Sequence, residues 1–393
     1  MKYNKKFISI FICFFILLIF VGCGPNQEAT GKSIDSHKNV EVSKTGKKEE
    51  PTKRAMLFFV GDIIYHPPLY RGLPLHKDPS SLETHYERLK PWIEKADFAI
   101  GNFEGSMNPN GKVRGYPLFQ VPHDSVASLK ANGFDAMTTA NNHCMDGGES
   151  GLDFVIEKMD EVGMKHFGTF LKDDSHGLIE DINGIKVGFL SYTEHFNGME
   201  GSIPMARRYK LRPMKKDRML DDIHWMKKYC DYLIVLPHWG EEYTKQPMNH
   251  VVTLAHELLD GGADAIIGSH PHVVHGVEIR EDGKVIAYSL GNSLANQRRE
   301  YMKGNPRPEG GLGLYLHLIQ KPGENPKMEL VEKLPTFTER SMENGKYIYR
   351  VMACRDGFGE GKFVKSLTQR EQNRAEELEE IVLRDTENIG TGR

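Results

Sequence analysis

Ala265-Ile266-Ile267-Gly268-Ser269-His270-Pro271-His272-Val273-Val274-His275 joins an apolar run to three histidines within six residues. A short apolar run that stops at a glycine reads as a buried strand, with the imidazoles at its carboxyl end. His270 and His272 are two apart, so an extended chain carries both on one face and His275 on the other. On that reading His270 and His272 belong to a site and His275 is structural.

The arrangement recurs. Apolar runs at residues 55–60, 98–100, 136–139, 186–190, 233–236 and 285–289 each stop at polar residues. They deliver Asp62, then Asn102 and Glu104, Asn142 and His143, Ser191, His238, and Asn292. Helix-like stretches at 82–95, 125–132, 151–162, 215–228 and 249–262 separate several of the runs. Strand alternating with helix predicts an α/β fold. Residues 312–320 and 328–338 read as consecutive strands, so mixed sheets are expected, with a charged helix over 367–384.

In open α/β sheets ligands bind beyond the carboxyl ends of the strands. Carboxylates, carboxamides and imidazoles gathered there can hold one or two divalent ions such as Mn²⁺, Fe²⁺ or Zn²⁺. The candidate ligands are Asp62, Glu104, Asn142, His238, His270 and His272, with His66, Asn102 and Asn292 as additions. Plainer readings stand beside them: Asp62 as a helix cap, Glu104 as a solvated loop acid, the asparagines as turn residues, His238 as a core histidine. Arg114 and Arg298, with Arg299 and Arg307 nearby, can pair with an anionic substrate or simply be solvated. No GxSxG elbow, P-loop, GxGxxG turn after a strand or HExxH helix is present.

A composition of 39% hydrophobic and 27% charged residues is that of an ordinary folded chain. The net charge of −3, with no basic stripe among aromatics, gives no reason to expect a nucleic-acid partner. Residues 1–23 read as an export signal: a basic start, an apolar run, then Gly22-Cys23. That ending resembles a bacterial lipobox, with Phe20 where leucine is usual. It implies lipidation at Cys23 and an exported, outward-facing membrane lipoprotein; an uncleaved anchor helix is the alternative. Residues 24–54 read as a polar disordered tether, 55–340 as the folded domain, and 341–393 as a C-terminal extension. Cys144, Cys230 and Cys354 form no disulfide framework and no CxxC pair.

Six motifs, in order, resemble the CapA family of poly-γ-glutamate capsule proteins. They are Gly61-Asp62; Gly101-Asn102-Phe103-Glu104-Gly105; Ala140-Asn141-Asn142-His143 with Asp146 and Gly147; Pro237-His238-Trp239-Gly240; Gly268-Ser269-His270-Pro271-His272; and Ser289-Leu290-Gly291-Asn292. The resemblance covers about residues 55–300. It implies a calcineurin-like metallophosphatase fold, a four-layer α/β/β/α sandwich with metal at its strand ends. It also implies that Asp62, Glu104, Asn142, His238, His270 and His272 hold metal. His143, with Asp146, is then the catalytic pair facing the substrate. Ile64 departs from the Asp-x-His first motif of metallophosphatases, and His66 is the candidate to replace that histidine.

Two functions follow from the resemblance. One is a metal-dependent hydrolase acting on poly-γ-glutamate or another anionic polymer. The other is a non-catalytic accessory subunit that grips the polymer beside the membrane subunits of a capsule synthase. An envelope protein that kept the fold and changed its ligand is a third reading.

Overall fold

In the computed structural model, which describes residues 51–173, 175–355 and 362–389, β1 (Lys53–Ile63) runs through the middle of an eight-stranded sheet. After it come α1 (Pro67–Arg71), α2 (Lys90–Ile93), β2 (Phe98–Phe103), α3 (Ser125–Ala131), β3 (Ala136–Thr138), α4 (Gly148–Glu161) and β4 (Lys165–Phe167). A second set follows: β5 (Leu178–Ile182), β6 (Ile185–Thr193), α5 (Lys216–Met226), β7 (Tyr232–His238), α6 (Asn249–Asp260), β8 (Ala265–Ile267), β9 (Val277–Ile279) and β10 (Val285–Ala287). The chain then returns through β11 (Asn292–Leu294), β12 (Gly310–Gln320), β13 (Lys327–Glu343) and β14 (Lys346–Ala353) to α7 (Lys362–Lys365) and α8 (Gln369–Asp385).

The larger sheet has the order β14-β13-β12-β1-β2-β3-β4, with β11 beside the end of β1. β1 through β4 are parallel, whereas β12, β13 and β14 are antiparallel. The six-stranded sheet runs β5-β6-β7-β8-β10-β9, parallel at its centre and antiparallel at both edges. Both sheets are mixed.

Alternation along β1 sets the layers. Ala55, Leu57 and Phe59 pack with Val187, Phe189, Ile234 and Leu236 of the other sheet. Phe58 and Val60 belong to the opposite face, with Leu129 of α3 and Val155 and Met159 of α4. Beyond the second sheet, Leu233, Val235, Ile266 and Ile286 meet Ile223 of α5 and Val251, Ala255, Leu258 and Leu259 of α6. The stack is α/β/β/α. In α6 the buried residues recur at helical spacing, and each buried leucine contributes about 1.5–3 kcal/mol.

Two expectations change. Residues 82–95 are not one helix but a 3₁₀ turn, Pro79–His85, followed by the short α2. Pro91 has no amide to donate and its ring clashes with the carbonyl one turn back, so a helix restarts there rather than running through. The boundary at 340 falls inside β13, and β14 adds to the same sheet, so residues 341–353 are sheet rather than appendage. α8 is capped by Thr368, whose side chain accepts from Glu371 N, and buries Ala375 and Leu378 against Phe337 and Met352.

The expected signal, Cys23 and the tether up to residue 50 lie outside the described residues. β1 begins at Lys53, inside the expected tether, because Lys53 and Arg54 pair with Gln320 and Ile319 of β12. Among the described residues no helix is long and apolar enough to cross a membrane. Cys144, Cys230 and Cys354 are buried and free.

Candidate metal centre

Strand register brings the polar residues together. β1 and β2 pair with Asp62 opposite Asn102, and Asn102 lies opposite Thr138 of β3. In the second sheet His238 ends β7 opposite Thr193 of β6, and a bridge joins His238 to Ser269. Gly61 allows the close approach of β1 to the turn before β11. A Cβ there would stand 1.9 Å from Gly291 O, next to the bond from Asp62 N to that oxygen.

Asp62, Glu104 and His238 form a group able to hold a metal ion: one ligand atom from each lies within 4.8 Å of the others, and all three are buried. Both carboxylate oxygens of Glu104 are buried with no hydrogen-bond partner among the described residues. Burial, and then the neighbouring Asp62 carboxylate, raise the Glu104 pKa well above its ordinary range. A buried carboxylate without a donor, beside a second carboxylate, is the environment that a cation satisfies. Two carboxylates and an imidazole suit Mn²⁺, Fe²⁺ or Zn²⁺.

Neighbours hold these groups in place. Thr138 Oγ1 donates to Asn102 Oδ1 at 2.8 Å, which turns the Asn102 amide nitrogen toward Asp62 Oδ1, also at 2.8 Å. His238 Nε2 lies 3.0 Å from Asn142 Oδ1 and 3.1 Å from His270 Nδ1; its Nδ1 lies 3.0 Å from Ser269 Oγ. The neutral ring with its proton on Nε2 satisfies all three contacts. Burial, with His270 and His272 adding to it, holds the His238 pKa well below the usual value, so that neutral form persists.

The loop that opened the sequence reading is bent rather than extended. His270 and His272 have φ of 100° and 58°, in the left-handed region. The two histidines therefore do not sit on one face of an extended chain, although both reach the site. His270 N donates to Asp62 Oδ2 at 3.2 Å, and His272 Nδ1 is 3.1 Å from the same oxygen. Burial disfavours charge on His272, but Glu104, Asp62 and Glu242 outweigh it and pull its pKa up to about 9. Burial and then His272 push His270 down to about 2. His275 Nε2 is bonded to Thr244 O at 2.9 Å, away from the group.

A cleft of about 530 Å³ opens over this centre, lined in part by Ile64, His66, His143, Glu242, Tyr243 and His272. His143 Nδ1 lies 2.7 Å from Asp146 Oδ2, which also accepts from Phe119 N. His66 Nδ1 accepts from Asn296 N at 3.3 Å, and the ring stands edge-on to Phe119. Burial and then His272 lower its pKa to about 4; it lines the cleft but stands outside the group of three. Asn292 donates to Gln297 Oε1 and Pro308 O, leaving a buried Oδ1 without a partner among the described residues.

The arginines go elsewhere. Arg298 is 2% exposed, donates to Thr338 O of β13 and does not line the cleft. Arg114 is exposed, with its backbone paired to Gln120, and does not line the cleft. Sequence reasoning missed His195, whose ring is 5.2 Å from that of His270, and Glu242, whose Oε1 is 4.0 Å from His272 Nε2. It also missed Tyr243. The signal for Glu242 and Tyr243 was Gly240, whose φ of 87° turns the chain back so that Tyr243 N reaches Pro271 O.

The family described as "Bacterial capsule synthesis protein PGA_cap" matches residues 56–297. The chain belongs to the PGA_cap family. This PGA_cap chain is 28% identical over 309 residues to the PGA biosynthesis protein CapA of Bacillus subtilis (strain 168), covering 75% of this chain and 74% of that protein. It is 30% identical over 263 residues to the capsule biosynthesis protein CapA of Bacillus anthracis, covering 64% and 62%. Among solved structures it aligns with a novel phosphatase from Mycoplasma pneumoniae at a TM-score of 0.44 and 17% identity, covering 72% of this chain and 94% of that one.

Proposed function

We propose that this PGA_cap protein is a divalent-metal-dependent hydrolase acting on poly-γ-glutamate during capsule synthesis, at the outer face of the membrane, held there by a lipid on Cys23. Family membership and the CapA relatives support the capsule role. The observation that carries the hydrolase reading is Glu104, buried beside Asp62 and His238 with no hydrogen-bond partner among the described residues and only His272 Nε2, at 3.8 Å, as a counter-charge.

Asp62, Glu104 and His238 would hold the ion, with Asn142, His270 and His272 around them. A bound divalent ion supplies Lewis acidity and lowers the pKa of water. Asn102 and Thr138 fix Asp62, and Asn142 fixes the His238 ring. His143 uses Nδ1 for Asp146, which leaves Nε2 to exchange a proton with the substrate across the cleft. Buried Phe119 walls the rings of His66 and His143 and limits water.

The test is incubation of the purified full chain with poly-γ-glutamate and Mn²⁺, following polymer length by size-exclusion chromatography. Shortening by wild type and its loss in Glu104→Gln are expected. One observation favours the accessory reading: Ile64 lines the cleft where metallophosphatases carry a histidine. Polymer that is retained at full length by metal-loaded protein would establish that reading and sink the hydrolase.

A further inference from the structure

The stretch Arg207-Arg208-Tyr209-Lys210-Leu211-Arg212-Pro213-Met214-Lys215-Lys216-Asp217-Arg218 carries seven basic residues in a chain of net charge −3. It leads into α5 alongside the end of β6: Thr193 N donates to Arg212 O at 3.0 Å and Met214 N to Thr193 O at 2.8 Å. Thr193 is in register with His238, so this segment lies one strand out from the metal centre, on the same sheet edge.

Four of the cations have carboxylate partners. Arg207 pairs with Glu149, Lys210 with Asp153, Lys216 with Glu257 and Arg218 with Asp222. Arg208, Arg212 and Lys215 have none within ion-pair distance among the described residues, and with Arg218 they line a pocket of about 300 Å³. Asp173 is the one acidic residue in its described lining.

Arg212 is 4% exposed. Its Nη1 and Nη2 donate to the carbonyls of Tyr209, Leu211 and Ser175, its guanidinium lies over the Phe170 ring, and its buried Nε has no partner among the described residues. Asp222, paired with Arg218, and Asp173 act on it only at a distance, so the guanidinium remains a positive charge in a place that disfavours one. α5, eleven residues long, begins at the same pocket. Its N-cap, Lys215, makes no side-chain cap bond, and Asp217 is the acidic residue of its first turn. The buried cation and two surface cations without carboxylate partners call for the same ligand, an anion.

We propose that this pocket binds a carboxylate of an acidic chain and so forms a second contact for a substrate that also reaches the metal centre. The inference rests on the anionic-polymer reading given under the proposed function. A single small anion would fill the pocket alone. A chain with repeated carboxylates can occupy pocket and cleft together, which turns the second contact into an intramolecular one.

The experiment is fluorescence anisotropy of labelled poly-γ-glutamate on the detergent-solubilised full chain, with inorganic phosphate as a parallel probe. The variants are Arg208→Ala/Lys215→Ala and Lys215→Glu, which leave buried Arg212 and the metal centre alone. Loss of charge-assisted bonds is expected to weaken polymer binding about tenfold or more, with bound metal unchanged. Polymer affinity equal to wild type in both variants overturns the pocket and leaves the functional reading standing. A wild type that binds no polymer overturns both. Phosphate binding that falls in the variants, with polymer binding unaffected, shows a small-anion site and overturns the acidic chain as its ligand.

Discussion

Asp146 Oδ2 lies 2.7 Å from His143 Nδ1, and both side chains are almost fully buried at the foot of the cleft. On the proposed hydrolase function, the carboxylate fixes which ring nitrogen is left for the substrate. Asp146→Asn keeps the shape but changes what it offers the ring. Turnover is predicted to fall about 10–100-fold, with metal content unchanged. Steady-state kinetics beside metal analysis checks this; an equal loss of metal would make Asp146 a structural residue.

Glu104 gives a prediction with two signs. Its carboxylate accepts no hydrogen bond among the described residues and stands beside Asp62, with only the His272 ring, 3.8 Å away, to offset its burial, so it destabilises the metal-free fold and attracts a cation. Glu104→Gln is therefore predicted to raise the Tm of metal-free protein while shrinking the rise caused by metal. For wild type that rise corresponds to about 2.7 kcal/mol at a hundredfold excess of free metal over Kd. Thermal scans with chelator and with Mn²⁺ measure both. A variant with lower metal-free Tm and a full metal response would contradict the assignment.

His85 sets a pH dependence away from the metal centre. It is 1% exposed, its Nε2 bonds Leu69 O at 3.0 Å, and burial lowers its pKa from 6.5 to about 4. The unfolded chain takes up a proton near pH 6.5 that the native state refuses until about pH 4. Its contribution is thus complete above about pH 6.5 and is lost as pH falls toward 4, amounting to about 3 kcal/mol in all. Urea unfolding at intervals between pH 5 and 7 should show the loss. Because His66, His166 and His275 are also held below their usual pKa by burial, His85→Gln should reduce that slope without abolishing it; an unchanged slope would place the titration elsewhere.

The strands that deliver the site were readable because each is a short apolar run that stops at a polar residue. Residues 55–60, 98–100, 233–236 and 265–267 all lie within observed strands. Of the missed strands, β14 carries a plain strand pattern that was folded into the C-terminal extension, and others carry weaker ones. β5 and β9 are half-exposed edges, and β11 has three residues, two of them polar. At the centre, oxygen and imidazole donors at strand ends were enough to nominate Asp62, Glu104 and His238, which the fold brings within 4.8 Å of one another. The burial of Arg298 left no local mark. An arginine near a site in sequence was read as facing an anion, whereas here it donates into β13. Glu242 and Tyr243 were missed because the one local signal, Gly240, marks a turn without saying what the turn brings in, and His195 because it is the order of β6, β7 and β8 within one sheet that sets it beside His270.

Ile64 yields the last prediction. It follows Asp62 by two residues at the end of β1, lines the cleft with His66, His143 and His272, and is 1% exposed. Its side chain is apolar, so it offers nothing to a cation. His66, two residues further on, turns its Nδ1 to Asn296 N and stays outside the group formed by Asp62, Glu104 and His238. The wild type is therefore predicted to bind one divalent ion tightly. Ile64→His places an imidazole at the wall of the same cleft, and metal per chain is predicted to rise from about one toward two. Replacing a buried isoleucine costs about 1–3 kcal/mol, so the fold should persist. Metal counts on dialysed protein decide it: two ions on wild type would mean that His66 already fills the role, and one ion on the variant would mean that the cleft holds a single metal whatever stands at position 64.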